Sequence, residues 1–208
     1  QRQKAPDELH QQMPLVKDVV RAFDIPIYEI DGFEADDVIA TIAKQAEKEG
    51  IDVDIVTGDM DTLQLVSKKI RVIANIKGLT DTVTYDEDKV RERYGLDPSQ
   101  MIDYKGLKGD PSDNLPGVPG IGDKTATELL KEFGNIENLL RNIDKVKSKK
   151  IQEKLTTYQS MAEQCKYLAT LITSVPIKTD FEHMKHTPAD WSKIIPLFEK
   201  FEFRTLIK

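Results

Sequence analysis

Hydrophobic positions divide the chain into an alternating first half and a helical second half. Leu15, Val16, Val19, Val20 and Phe23 recur at helical spacing and predict a helix that opens at Pro14. The β-branched and aromatic stretch 25–30 predicts a short, edge-like strand interrupted by Pro26. Val38, Ile39, Ile42, Ala43 and Ala46 line one face of a helix predicted over 34–49, with Gly50 at its carboxyl end. There follow a strand over 51–56, a turn at Thr57-Gly58-Asp59, a short helix over 62–66, a strand over 70–74, a turn at Lys77-Gly78 and a strand near 82–85. Asp86 is placed to cap a helix that runs to Tyr94 and ends at Gly95. Strand-helix-strand alternation of this kind predicts an α/β fold with a mainly parallel sheet and flanking helices, whose ligands gather at the carboxyl ends of the strands.

After Pro98 the pattern becomes helical, over 98–107, 123–133, 135–142, 148–156, 158–173 and 189–200, the last opened by Thr187 or Pro188. A short extended piece is expected at 175–177, and Trp191, Leu197, Phe198, Phe201 and Phe203 are assigned to the core. The shift near Tyr104 separates an α/β subdomain over 1–103 from a helical subdomain over 104–208. Charge divides at the same place. Residues 1–103 hold 13 Lys and Arg against 22 Asp and Glu, a net of −9, while 104–208 hold 17 against 14, a net of +3. That asymmetry permits nucleic-acid binding by the second half. The single cysteine, Cys165, cannot form an internal disulfide and fits a reducing compartment. No apolar run has the length of a membrane span, and the opening QRQKAPDELHQQ lacks the apolar stretch of a secretory signal.

The acidity has a local source. Seven carboxylates fall in three turn-flanked clusters: Glu34, Asp36 and Asp37 in GFEADD, Asp59 and Asp61 in TGDMD, and Asp110 and Asp113 in GDPSDN. Each has a bland account: first-turn acids favoured by a helix dipole, turn formers after a strand, or Asx turns in a polar loop. Three such coincidences are less economical than one site whose carboxylates are neutralised by a hard divalent cation, Mg²⁺ or Mn²⁺ rather than zinc. Glu34 and Asp37 share a helix face, from which Asp36 points away. The last cluster runs into PGVPGIGDKTA, a string specific for a helix-hairpin-helix. There Gly117, Gly120 and Gly122 let backbone N–H groups approach a phosphate, and Lys124 and Thr125 fall in the first turn of the next helix. The alternative is a tight connection between helices. Lys145, Lys147, Lys149 and Lys150 read as a solvated face, with a duplex contact beside the hairpin as the alternative, His10, His183 and His186 match no metal-ligand spacing, and Cys165 has no sequence neighbours that would activate it.

GFEADDVIATIA, VTGDMDTLQLV, YKGLKGDPSDNLPGVPGIGDKTATELL and the ending LFEKFEF resemble the 5′-nuclease domain of bacterial DNA polymerases I and its free-standing 5′-3′ exonuclease and flap endonuclease relatives. The resemblance implies a PIN-like 5′-nuclease fold and two-metal, Mg²⁺-dependent hydrolysis of phosphodiesters in flapped, nicked or branched DNA. It implies that Glu34 and Asp36 hold one metal with Asp37 close by, and that Asp59, Asp61, Asp110 and Asp113 hold or support the second. It further implies a helix-hairpin-helix on the duplex backbone, with K⁺ bound there and Lys124, Lys131, Arg2 and Lys4 near phosphates. The role implied is removal of RNA primers from RNA-DNA hybrids and of flaps in replication and repair, in the bacterial cytoplasm at the nucleoid, with a polymerase domain downstream. Family members carry, ahead of the matched part, a first strand with an early Asp-Gly and then a Phe-Asp segment followed by Arg. The resemblance therefore covers roughly the last two-thirds of the domain and implies an N-terminally incomplete site. Two alternatives stay open: a non-catalytic DNA-binding fragment, and an RNA-cleaving enzyme of the PIN-like class.

Overall fold

The structure, a computed structural model, describes residues 6–77, 81–182 and 184–207. Arg2, Lys4, Gly78 and His183 lie outside the described residues. The chain forms two compact units, Gly32–Ile177 and a smaller one made of Gln1–Asp31 with Lys178–Lys208. The composition shift near Tyr104 falls inside the larger unit, because Met101, Tyr104 and Leu107 belong to the same hydrophobic core as the strand residues Ile55, Ile70 and Val72.

In the larger unit, helix α2 (Ala35–Lys48) buries Val38, Ala40, Thr41, Ala43 and Ala46. Strand β1 (Val53–Thr57) pairs in parallel with β2 (Ile70–Lys77), and β2 pairs antiparallel with β3 (Asp81–Tyr85). The sheet is thus mixed. The segment between Thr57 and Ile70 is long enough for a parallel crossover, but the connection after Lys77 is only long enough for antiparallel pairing. A 3-10 turn at Met60–Leu65 links β1 to β2. Asp86 caps α3 (Glu87–Tyr94) by accepting from the Lys89 N–H at 2.8 Å, and Gly95 ends the helix with φ 68°.

Helices α4 (Met101–Lys108), α5 (Asp123–Phe133), α6 (Ile136–Arg141), α7 (Lys149–Thr157) and α8 (Gln159–Ala169) complete this unit. Gly106 lets α4 and α8 approach closely, since a Cβ there would meet the Ala162 carbonyl oxygen at 3.0 Å. A buried ion pair joins the same helices: Asp103 accepts from Lys166 Nζ at 2.7 Å and from the Ile136 N–H at 2.9 Å. Residues 175–177 make a tight turn rather than a strand, with the Ile177 N–H on the Val175 carbonyl at 2.7 Å.

In the smaller unit, α1 runs Asp7–Ala22, so the helix opens a full two turns before Pro14 and contains it. The preceding residues are good helix formers with Asp7 and Glu8 at the amino end, and they outweigh the one backbone bond that Pro14 cannot make. The stretch 25–30 forms no strand. Pro26 removes a ladder donor, and Asp24 enters it at φ 54°. Helix α9 (Trp191–Lys200) is capped by Asp190, which accepts from the Ser192 N–H at 3.1 Å, and not by Thr187 or Pro188. Its core residues are Ile194 and Phe198. Trp191 is 54% exposed, contrary to its assignment to the core, and meets Phe23 edge-on with ring centroids 6.2 Å apart. Phe203 is likewise exposed, its ring tilted against those of Phe198 and Phe201.

Candidate metal centre

The end of β1 delivers the first acids. In Thr57-Gly58-Asp59 the Asp59 N–H bonds Thr57 Oγ1 at 3.0 Å, and Asp59 Oδ1 accepts from the Asp61 N–H at 2.9 Å. Thr62 Oγ1 returns to the Asp59 carbonyl at 2.7 Å. This closed turn is what an Asp-x-Asp string does after a strand, and it aims Asp61 inward while Asp59 stays exposed. The second pair sits on a 3-10 turn, Pro111–Asp113, which Asp110 caps by accepting from the Ser112 N–H at 2.9 Å. A two-bond bridge between Asp110 and Leu115, at 2.8 Å each way, closes the base of that turn.

These two turns bring Asp61, Asp110 and Asp113 together: one oxygen from each lies within 4.8 Å of the others. Lys105, on α4, stands among them. Its ammonium contacts Asp61, lies 2.7 Å from Asp110 and is 4.0 Å from Asp113. Burial alone would raise the Asp110 pKa, but the Lys105 ammonium and the Ser112 hydrogen bonds outweigh it and hold the carboxyl down at about 2. An all-carboxylate donor set that already draws in a cation fits a hard divalent metal. Beside it opens a cleft of about 410 Å³, lined among others by Gly58, Tyr94, Tyr104, Lys108 and Ser112.

The first acidic cluster is split. Asp36 is half-buried, and its pKa is pushed up by burial and then by the charges of Asp59, Glu34, Asp37 and Asp113. Glu34 stands at the amino end of α2, exposed, with no side-chain capping bond. Asp37 does something else. Its Oδ1 accepts from the Ile172 N–H at 2.8 Å and fastens the segment after α8 to α2, beside the bond from the Val175 N–H to Thr41 Oγ1 at 3.1 Å. Of the three clusters, the second and third thus supply the acids that converge, Asp61, Asp110 and Asp113, while Asp37 makes a tertiary bond.

The glycine-rich segment links α4 to α5 as a hairpin pinned from inside. Val118 and Ile121 are buried, and the Val118 N–H bonds the Leu107 carbonyl at 2.8 Å. Gly117 has φ 60°, and a Cβ there would fall 2.2 Å from the Gly109 backbone nitrogen, so only glycine fits. Gly120 has φ 77° and is roofed by the Lys154 ammonium of α7, while Gly122 faces open space at the start of α5. Lys124 and Thr125 follow in the first turn of α5, Lys124 exposed. Lys131 lies in the last turn of α5, away from the hairpin, with its ammonium against Gly95 at the carboxyl end of α3. Lys108 pairs with Asp123 at 2.7 Å, and Asp123 also takes the Tyr104 hydroxyl. Burial first, then that bond, raises the Tyr104 pKa to about 12.

Sequence reasoning missed Lys105 and Lys154. YKGLKGD does hold a lysine close to the acidic turn, but which way it points depends on where α4 packs.

A sheet with acids at a strand end, packed with helices of which two are linked by a glycine hairpin, defines the class. The chain belongs to the 5′-3′ exonuclease family. Residues 1–95 match its N-terminal resolvase-like domain and residues 96–192 its C-terminal SAM fold. Among curated proteins, it is similar to the DNA polymerases I of Bacillus subtilis (strain 168), 44% identical over 207 residues, and Bacillus caldotenax, 43% identical over 207 residues. All of this chain is covered in both, but it spans only 24% of each relative's length. Among solved structures, a bacteriophage T5 flap endonuclease in a pseudo-enzyme-product complex with DNA and metal ions covers 83% of this chain and 64% of its own, at TM-score 0.68 and 26% identity. The catalytic core of Rad2 in complex with DNA substrate shares the fold at TM-score 0.61 and 22% identity, over 96% of this chain and 66% of its own. Among the described residues no helix is long and apolar enough to cross a membrane.

Proposed function

We propose that the chain is a 5′-3′ exonuclease and structure-specific flap endonuclease that hydrolyses phosphodiesters in flapped or nicked DNA. Its role is removal of RNA primers and flaps in replication and repair, in the cytoplasm at the nucleoid. The observation that carries the proposal is the convergence of Asp61, Asp110 and Asp113 within 4.8 Å at the end of β1, next to a glycine hairpin, in a chain of this family. The T5 relatives solved with DNA and with divalent metal ions support it.

Asp61, Asp110 and Asp113 would hold one Mg²⁺ or Mn²⁺, with Asp59 ordering the turn. Glu34 and Asp36 would hold a second from the side where Asp36 already feels the charge of Asp59 and Asp113. Divalent cations at such a centre supply a nucleophile at neutral pH and neutralise charge on the phosphate. The chain's own residues do the rest. The carboxylates fix where positive charge sits, and Tyr104, held protonated, bounds the cleft beside them. The backbone at Gly122, open to solvent, and at Gly120, covered only by the movable Lys154 ammonium, offers with Lys124 and Thr125 donors to a duplex phosphate some distance from the acids, and K⁺ is the cation expected at that hairpin. Such contacts hold the backbone and read no base sequence.

The test is single-turnover cleavage of a labelled 5′-flap duplex in Mg²⁺. Cleavage that leaves 5′-phosphate ends, stops with EDTA and falls at least about 100-fold in Asp61→Asn with Asp113→Asn is expected, the scale of losing preorganised charge at a reacting phosphate. Equal rates in the double variant refute it. One observation favours a second reading, a non-catalytic DNA-binding module: Lys105 already neutralises the acids. Flap binding that ignores EDTA, with no cleavage at any enzyme concentration, is its signature.

A further inference from the structure

We propose that Lys105 is a place-holding cation. In the metal-free protein its ammonium sits where Asp61, Asp110 and Asp113 converge and keeps their oxygens drawn together, and it gives up that position when a divalent cation binds. The inference rests on the metal-site reading above and adds a residue that sets the site's affinity and prepares its geometry.

The geometry is that of a substitute ion. One ammonium faces three carboxylates from two separate turns, contacting Asp61, 2.7 Å from Asp110 and 4.0 Å from Asp113. All four side chains are largely shielded, with Lys105 only 13% exposed and Asp61 15%. Three carboxylates this close would otherwise repel strongly in such a place. Lysine suits the part, because its charge is compact and its three donors are not tied to a plane. Its four-carbon stem is flexible, so the ammonium can leave without moving α4. The cleft beside the acids gives it somewhere to go, since Lys105 and Lys108 both line that cleft. Once displaced, Lys105 has no other carboxylate among the pairs seen in the described residues. It then adds an unpaired positive charge to a cleft beside the proposed scissile phosphate.

A competitor built into the site lowers apparent metal affinity and reduces repulsion in the empty state. Removing its charge reverses both effects. Calorimetric titration with Mn²⁺ on the full chain, in the wild type, Lys105→Met, Lys105→Arg and Asp61→Asn, reads the first. Lys105→Met should bind Mn²⁺ at least about tenfold more tightly, in keeping with loss of a unit-charge interaction near the surface, with Lys105→Arg close to wild type and Asp61→Asn weaker. Affinity in Lys105→Met equal to or below wild type, with Asp61→Asn still weakened, overturns the place-holder and leaves the metal site standing. Indistinguishable behaviour of wild type and Asp61→Asn overturns the metal site and this inference with it. A second measurement uses the wild type alone, so it does not depend on any variant folding. Reductive methylation of lysines, read by peptide mass spectrometry, should label Lys105 several-fold faster in Mg²⁺ than in EDTA, while Lys147 on the exposed loop stays constant. Unchanged Lys105 labelling at a Mg²⁺ concentration that saturates the site overturns the proposal.

Discussion

Asp36 carries an electrostatic cost in the folded protein, from burial first and from neighbouring acids second. Burial and the charges of Asp59, Glu34, Asp37 and Asp113 all raise its pKa above the ordinary aspartate value. The folded protein therefore holds this proton more firmly than the unfolded chain does. Stability is unaffected below the unfolded value near 4, falls as pH rises through the raised folded value, and stays lower above it. Asp36→Asn removes that penalty. In EDTA at pH 7 it should raise Tm by roughly 2 °C, a small effect because the group is partly solvated, and the gain should vanish below about pH 4. Scanning fluorimetry across pH checks this, and a gain that persists at low pH would mean that packing, not charge, is responsible. At this scale the acids were legible in the sequence because each cluster sits beside turn residues. Their partners were not. Asp37 bonds a backbone N–H 135 positions away, and Lys105 reaches the acids only because α4 packs where it does.

The elements of the larger unit follow hydrophobic period and capping chemistry closely, since α2, α3 and α5 each have a strong apolar face or a clear cap and stop. The smaller unit follows them less well. Pro14 reads as a start yet lies inside α1, and 25–30 reads as a strand yet pairs with none among the described residues. A proline's meaning depends on whether flanking residues hold the helix, and a strand exists only through its partner. The hairpin makes a sharper claim. Both Gly117 and Gly120 have positive φ, so alanine strains either backbone by about 1 kcal/mol. At Gly117 the new Cβ also strikes the Gly109 backbone, whereas at Gly120 it meets only the movable end of Lys154. Gly117→Ala should therefore cost roughly 3 kcal/mol in urea unfolding and Gly120→Ala roughly 1 kcal/mol. Gly120→Val, folded, should weaken duplex binding by a similar factor on unrelated sequences in fluorescence anisotropy. A change confined to one sequence would contradict a backbone contact.

On the scale of the whole molecule, charge and core divide the chain differently. Net charge changes sign near residue 104, but the core runs through that point from the sheet into α4, α5 and α8. Composition registers what the surface must do, whereas the compact unit registers which apolar faces meet. The acidic half supplies Asp61, the basic half supplies Lys105, Asp110 and Asp113, and the centre belongs to both. Its occupancy by a divalent cation is the claim on which the proposed activity depends. Anomalous scattering from crystals of the full chain grown in Mn²⁺ measures it most directly. The account predicts a manganese peak about 2.1–2.2 Å from carboxylate oxygens of Asp61, Asp110 and Asp113, the distance of a small hard cation from oxygen, with Lys105 Nζ withdrawn from all three. No peak there at millimolar Mn²⁺, with Lys105 still paired to Asp61 and Asp110, would contradict it.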